Sequence, residues 1–279
     1  KKREFSKLGF KPETPLFGSH GYPNPELLPQ LWALRDDLLR LRPNVVVALG
    51  ATALWALTGQ DKIGNYRGTV VPSTLIEGMK VVGTWHPAAI TRNWDFLSTS
   101  VLDIAKAKRE SERPEIIRKD RFLLIEPTFQ EVIQYFATIK PGDLISVDIE
   151  TIPSADHLIL CIAIAKSDND CIIIPFIDKR KSGYHYWDRT QEEAIRIALK
   201  FLLENPEISK LFQNGIYDCE VLSYESIYVR GGFEDTMHLH HALYPELEKG
   251  LDYLGSVYLE EPAWKNWIKF KVSEDKSDA

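Results

Sequence analysis

The sequence runs to 279 residues, 44% hydrophobic and 27% charged, with a formal net charge of −6. That composition belongs to a globular protein with one large or two medium cores, not to a disordered or fibrous chain. No apolar run approaches the roughly 20 residues of a membrane span, so no membrane partner is expected.

The charge is unevenly spread. Residues 1–119 hold 18 Lys and Arg against 12 Asp and Glu, and residues 120–279 hold 16 against 28. A basic module joined to an acidic one is expected, and an acidic module can bind a polyanion when divalent cations neutralise its site. Cys161, Cys171 and Cys219 form no C-x-x-C pair, which points to free thiols in a reducing, cytoplasmic setting. The sequence begins at Lys1 without Met and is expected to be a fragment or a processed product.

Residues 1–22 are rich in Pro, Gly and Lys without periodicity and read as loop. Leu31, Leu34, Leu38, Leu39 and Leu41 then repeat at helical spacing up to Pro43. Val45–Gly50 reads as a strand ending in Gly, Ala51–Leu57 as a helix, and Lys80–Trp85 as a second strand running into His86-Pro87. This is β-turn-α patterning of the parallel-sheet type, with His86 where a parallel strand ends. A histidine that only satisfies loop carbonyls ahead of Pro87 reads equally well.

Arg42-Pro43-Asn44-Val45 to Ala53, Arg67-Gly68 and His86-Pro87-Ala88-Ala89 resemble the second half of the uracil-DNA glycosylase superfamily. The resemblance implies a partial domain over residues 1–119, with His86 as a possible vestigial residue that would stabilise a departing uracil anion. The family's Gly-Glu-x-Pro-Gly loop and its iron–sulfur cysteines have no counterpart here.

A charged connector around Glu112–Arg121 marks the expected boundary. Beyond it Phe122–Ile125 reads as a strand, and Pro127-Thr128-Phe129 opens a helix. In Leu144–Ile152 two acids interrupt a β-branched run: side chains two apart share a strand face, so Asp148 and Glu150 point the same way while Val147 and Ile149 point oppositely. A solvated polar face explains such a pair; so does a cation, since two unneutralised buried carboxylates would cost several kcal/mol. Leu158–Ala165 and Cys171–Phe176 continue a three-stranded meander, Thr190-Gln191-Glu192-Glu193 caps a helix to about Leu203, and Lys210–Gly215 is a strand breaking into a helix with Asp218 in its first turn. At that place Asp218 could simply charge a helix N-terminus.

The order of these elements, with Asp148-Ile149-Glu150, Asn214-Gly215-Ile216-Tyr217-Asp218, Phe233-Glu234-Asp235-Thr236-Met237 and Lys249–Leu254, resembles the proofreading 3′–5′ exonuclease domains of family A DNA polymerases, particularly phage-type ones. The resemblance implies a ribonuclease H-like mixed-sheet α/β domain over residues 120–279. In it Asp148, Glu150 and Asp218 would hold two Mg²⁺ or Mn²⁺ ions, and Thr151 and Asn214 would lie beside the terminal nucleotide of single-stranded DNA or a primer 3′ end. A polymerase domain or other replication proteins would be partners, in a bacterial or phage-infected cell. Ser154 stands where the family often has an apolar wedge. The polar run Ser273–Asp278 lacks the Tyr-x-x-x-Asp of the third motif: either the fourth acid lies beyond Ala279 or the site is incomplete, and with three of four acids weakened metal binding is expected. Uracil excision through His86 and a non-catalytic DNA-binding scaffold remain the alternatives. His238 and His241 share a helix face, but nothing completes a zinc set. The Tyr184–Trp187 cluster reads as an aromatic loop over a core edge.

Overall fold

The computed structural model describes residues 28–117, 120–152 and 155–259. The chain divides into two compact units, one of residues up to Ile117 together with those from Glu246, the other Arg118–Pro245.

The first unit opens with α1 (Leu28–Leu41), then β1 (Val45–Leu49), α2 (Gly50–Thr58), the short α3 (Ile63–Tyr66), β2 (Val70–Pro72), β3 (Lys80–Thr84), the short α4 (Pro87–Ile90) and α5 (Phe96–Glu110). Its sheet has the order β1-β3-β2. β1 and β3 pair in parallel, as the β-turn-α pattern predicts, but β2 is antiparallel to β3. The sheet is therefore mixed where an all-parallel one was expected, because three residues ending in Pro72 are too short to show periodicity in the sequence.

Two buried ion pairs hold this unit. Lys80 Nζ meets Glu110 Oε2 at 2.7 Å, and Arg67 grips Asp103, whose Oδ2 also accepts from Thr84 Oγ1 at 2.9 Å. The terminal helix of the described chain, α10 (Leu251–Tyr258), belongs to the same unit: Ser256 Oγ accepts from Arg67 at 3.1 Å, its carbonyl accepts from Lys106 Nζ at 2.6 Å, and Tyr253 bonds Thr99. The division falls at Ile117/Arg118, and Glu246–Leu259 cluster with the first unit. Local pattern does not say which core a helix buries its face against.

The second unit contains β4 (Phe122–Leu124), α6 (Phe129–Thr138), β5 (Leu144–Ile152), β6 (Ala155–Ser167), β7 (Asp170–Pro175), α7 (Arg189–Glu204), β8 (Ser209–Phe212), α8 (Gly215–Tyr224), β9 (Phe233–Asp235) and α9 (Thr236–Leu243). Its six strands run in the order β4-β7-β6-β5-β8-β9. β5-β6-β7 is the expected antiparallel meander, whereas β4 joins β7, β8 joins β5 and β9 joins β8 in parallel. This is the ribonuclease H-like mixed α/β sheet.

β5 alternates as predicted: Ile145, Val147 and Ile149 are buried while Asp148 and Glu150 are exposed. Each buried apolar side chain is worth about 1.5–3 kcal/mol, and a one-residue slip would bury the acids in their place. Register and acid placement are one constraint.

The cap of α7 lies two residues before the expected Thr190. Asp188 accepts from Gln191 N–H, and Gln191 reaches back, a capping box of the D-x-x-Q type. Trp187 is buried and donates Nε1–H to the Pro175 carbonyl at 2.6 Å, with Tyr186 edge-on against it. The aromatic loop thus covers a core edge.

Candidate metal-dependent site

Helix α8 brings Asp218 against strand β5, where it meets the Ile149 N–H and the charge of Asp148, while Asp148 and Glu150 share the exposed face of that strand. Strand β8 pairs with β5 only as far as Ser146↔Leu211. Past that point the N–H of Ile149 donates to Asp218 Oδ1 at 3.0 Å. The buried Asp218 carboxylate therefore extends the strand's hydrogen bonding where the ladder has stopped.

Burial first, and the charge of Asp148 second, push the Asp218 carboxyl up to about 6; the Ile149 N–H pulls it the other way. Cys161, opposite Glu150 in the β5/β6 register, senses the same field: burial raises its thiol most, followed by Glu150 and Asp148. Such negative potential favours a cation, and a donor set made only of carboxylate oxygens suits hard ions such as Mg²⁺ and Mn²⁺. Among the described residues no three His, Cys, Asp or Glu side chains are grouped closely enough to form a ready-made ion site. The chemistry of the donors fits a divalent ion, and Asp148 and Glu150 are exposed while Asp218 is buried.

Thr151 and Asn214 flank the acids along the chain. Thr151 Oγ1 and Tyr217 Oη are hydrogen-bonded at 2.7 Å, tying the end of β5 to the first turn of α8. Asn214 caps α8 in the left-handed conformation (φ 62°, ψ 44°) with its side chain exposed and making no cap bond.

The turn at Asn214 is held from a distance by Asp235, to which the sequence assigned no role. Its carboxylate accepts from Asn214 N (3.1 Å), Gly215 N (2.8 Å), Met237 N (2.8 Å) and His238 N (3.4 Å). Burial pushes Asp235 upward, but the four backbone N–H bonds outweigh it and hold the group below its ordinary range. Asp before Thr at a helix start was the available signal, since Asp235 caps α9. Its reach to the α8 turn was not signalled. Tyr217, inside the quoted motif, was likewise missed as a partner of Thr151.

His86 lies in the first unit, exposed, at the carboxyl end of β3. Its Nδ1 accepts from Ala88 N at 3.1 Å, capping α4. Gly50, at the end of β1 with φ 85°, is packed so closely that a Cβ there would stand 2.9 Å from His86 Cβ. Ser154 and the residues expected to carry the third motif lie outside the described residues.

A 3′–5′ exonuclease family model matches residues 125–278. No curated protein matches the chain. Among solved structures, the chain is similar to Trypanosoma brucei RNase D in complex with GMP (15% identity, 56% of this chain and 47% of that one, TM-score 0.43). It is also similar to Brucella melitensis NrnC with bound Mg²⁺ (19%, 52% and 63%, 0.34) and to the POL domain of Pol1 from M. smegmatis with DNA primer-template and dNTP (20%, 50% and 23%, 0.38). The chain spans less than two thirds of the length of these structures.

Proposed function

The chain belongs to the 3′–5′ exonuclease family, and from that premise we propose that Asp148, Glu150 and Asp218 form a hydrolytic site that removes nucleotides from the 3′ end of single-stranded DNA or a frayed primer. Two Mg²⁺ or Mn²⁺ ions held by these carboxylates would activate the attacking water and stabilise the leaving 3′ oxygen. The chain's own part is positional. Asp148 and Glu150 stand exposed on a strand face whose opposite side is locked into the core. Asp218 is aimed by Ile149. Thr151 and Asn214 contact the terminal nucleotide, with Tyr217 orienting the Thr151 hydroxyl. The module serves as the proofreading part of a phage-type DNA polymerase, working in the cytoplasm beside a polymerase domain.

The observation that carries this reading is the Asp218–Ile149 hydrogen bond, because it fixes the helix acid beside the strand position between Asp148 and Glu150. The test is incubation of 5′-labelled single strands with Mn²⁺. A ladder shortened from the 3′ end, lost with chelator and in Asp148→Ala, is expected. Intact strands in the wild-type reaction would overturn it.

A second reading is favoured by His86. With Nδ1 occupied as acceptor, a neutral ring carries its proton on Nε2, a donor at the end of two parallel strands, as uracil excision would require of a glycosylase-like first unit. Abasic sites formed on uracil-containing DNA, insensitive to chelator and lost in His86→Ala, would support it. Binding of DNA with neither product would leave a scaffold.

A further inference from the structure

Helix α8 presents more than Asp218. Tyr217 and Tyr224 lie seven residues apart, two turns along one helix face, and both are exposed (41% and 57%). Tyr217 is hydrogen-bonded to Thr151 beside the acids. The ring of Tyr224 lies against the exposed imidazole of His157 on β6, centroids 3.8 Å apart and planes 30° apart. Neither tyrosine belongs to the buried core of this unit. The Tyr224 ring packs on His157 while both tyrosines remain accessible to solvent.

We propose that Tyr217, His157 and Tyr224 form a base-stacking track that leads single-stranded nucleic acid to the acids, holding the bases that precede the terminal nucleotide. Its placement relative to the 3′ end rests on the exonuclease reading above. At 1.5 Å rise per residue the two tyrosines are about 10 Å apart along the helix, room for about three stacked nucleotides at about 3.4 Å each. Aromatic faces accept any base, because every base has a π-face. The exposed Glu220 stands three residues after Tyr217 and four before Tyr224 on the same side of the helix. A carboxylate there repels phosphate, so the strand turns its bases, not its backbone, toward the helix.

The track predicts a length threshold. In an Asp148→Asn background that blocks hydrolysis, fluorescence anisotropy with labelled dT2, dT8 and U8 reads the affinity directly. His157→Ala and Tyr224→Ala are expected to weaken dT8 about five- to hundred-fold while leaving dT2 unchanged, and Tyr224→Trp is expected to restore it. Both residues are exposed, and thermal melts confirm that the variants fold. Equal losses on dT8 and U8 identify the bases as the ligand; a loss on one alone assigns the track to that sugar. Unchanged affinity for both dT8 and U8 in both alanine variants, or an equal loss on dT2, would overturn the proposal. Wild-type protein that binds dT8 through these rings yet leaves 3′ ends intact overturns the exonuclease reading and supports the track. Hydrolysis with unaltered affinity in the ring variants does the reverse.

Discussion

Asp218 Oδ1 accepts the backbone N–H of Ile149 at 3.0 Å, so the helix acid is fastened to the strand residue that separates Asp148 from Glu150. The two substitutions of Asp218 therefore have separable outcomes. Asp218→Asn keeps an oxygen for the N–H and removes the charge that burial and Asp148 both oppose; it should fold at least as stably as wild type without metal and lose metal-dependent hydrolysis. Asp218→Ala leaves a buried N–H without its acceptor and should lose about 1–3 kcal/mol as well. Urea melts and 3′-end laddering measure the two effects. Wild-type laddering by Asp218→Asn would remove Asp218 from the site.

Asn214 combines a backbone role with a side-chain role. Its φ of 62° favours Gly or Asn, so Asn214→Ala should cost about 1–2 kcal/mol, while Asn214→Gly should stay within about 1 kcal/mol of wild type. The side chain is exposed and makes no cap bond; on the proposed reading it contacts the terminal nucleotide, so Asn214→Gly should raise KM for oligonucleotides severalfold in steady-state assays. An unchanged KM would make Asn214 a turn residue only.

The D-x-E strand could be read from the sequence because period-2 burial and β-branched flanks are local signals, and Asp218 because a strand, a Gly and a helix follow one another within ten residues. Contacts made across the fold could not. Asp235 reaches Asn214 and Gly215 from some 20 residues away, and nothing in its neighbours encodes that distance. The helix Leu251–Tyr258 carries an apolar face that would suit either core. The buried Arg67 and Lys106, about 150 residues or more earlier in the chain, bond to it in the first unit, as does Thr99. Arg67-Gly68 entered the sequence reading as part of a glycosylase resemblance, and in the structure those residues bind a helix.

Asp235 should make the second unit acid-sensitive. Its folded-state carboxyl is held below the ordinary value of about 3.9, so its contribution is fully present above that ordinary value and is lost as pH falls through the lowered one. Asp235→Asn keeps one acceptor oxygen and cannot titrate. The stability gap between wild type and Asp235→Asn in urea melts should therefore be widest near neutral pH and close as pH drops below about 4. Asp235→Ala, which strips four N–H groups of their acceptor, should cost about 2–4 kcal/mol and displace Asp218 with the turn that carries it. A gap independent of pH would mean that Asp235 acts through shape and not charge.

The first unit depends on Asp103 in a different way. The side chains of Arg67 and Asp103 are almost wholly buried, at 4% and 1% exposure, so removing either strands the other charge. Asp103→Ala should cost about 3–5 kcal/mol, whereas the double variant Arg67→Ala/Asp103→Ala should cost less than the two single losses added together, because the second substitution removes the charge the first one strands. Gly68 tightens the same knot: at φ 66° a Cβ would collide with Asp103 Oδ1 and stand 3.0 Å from the Ser256 carbonyl. Gly68→Ala should thus loosen helix α10 without touching the acids of β5. Hydrogen exchange reads that directly, as faster exchange over Leu251–Tyr258 with unchanged protection at Ile149. Unaltered exchange over the helix in both Gly68→Ala and Asp103→Ala would show that α10 is held by its apolar face and not by the buried charges.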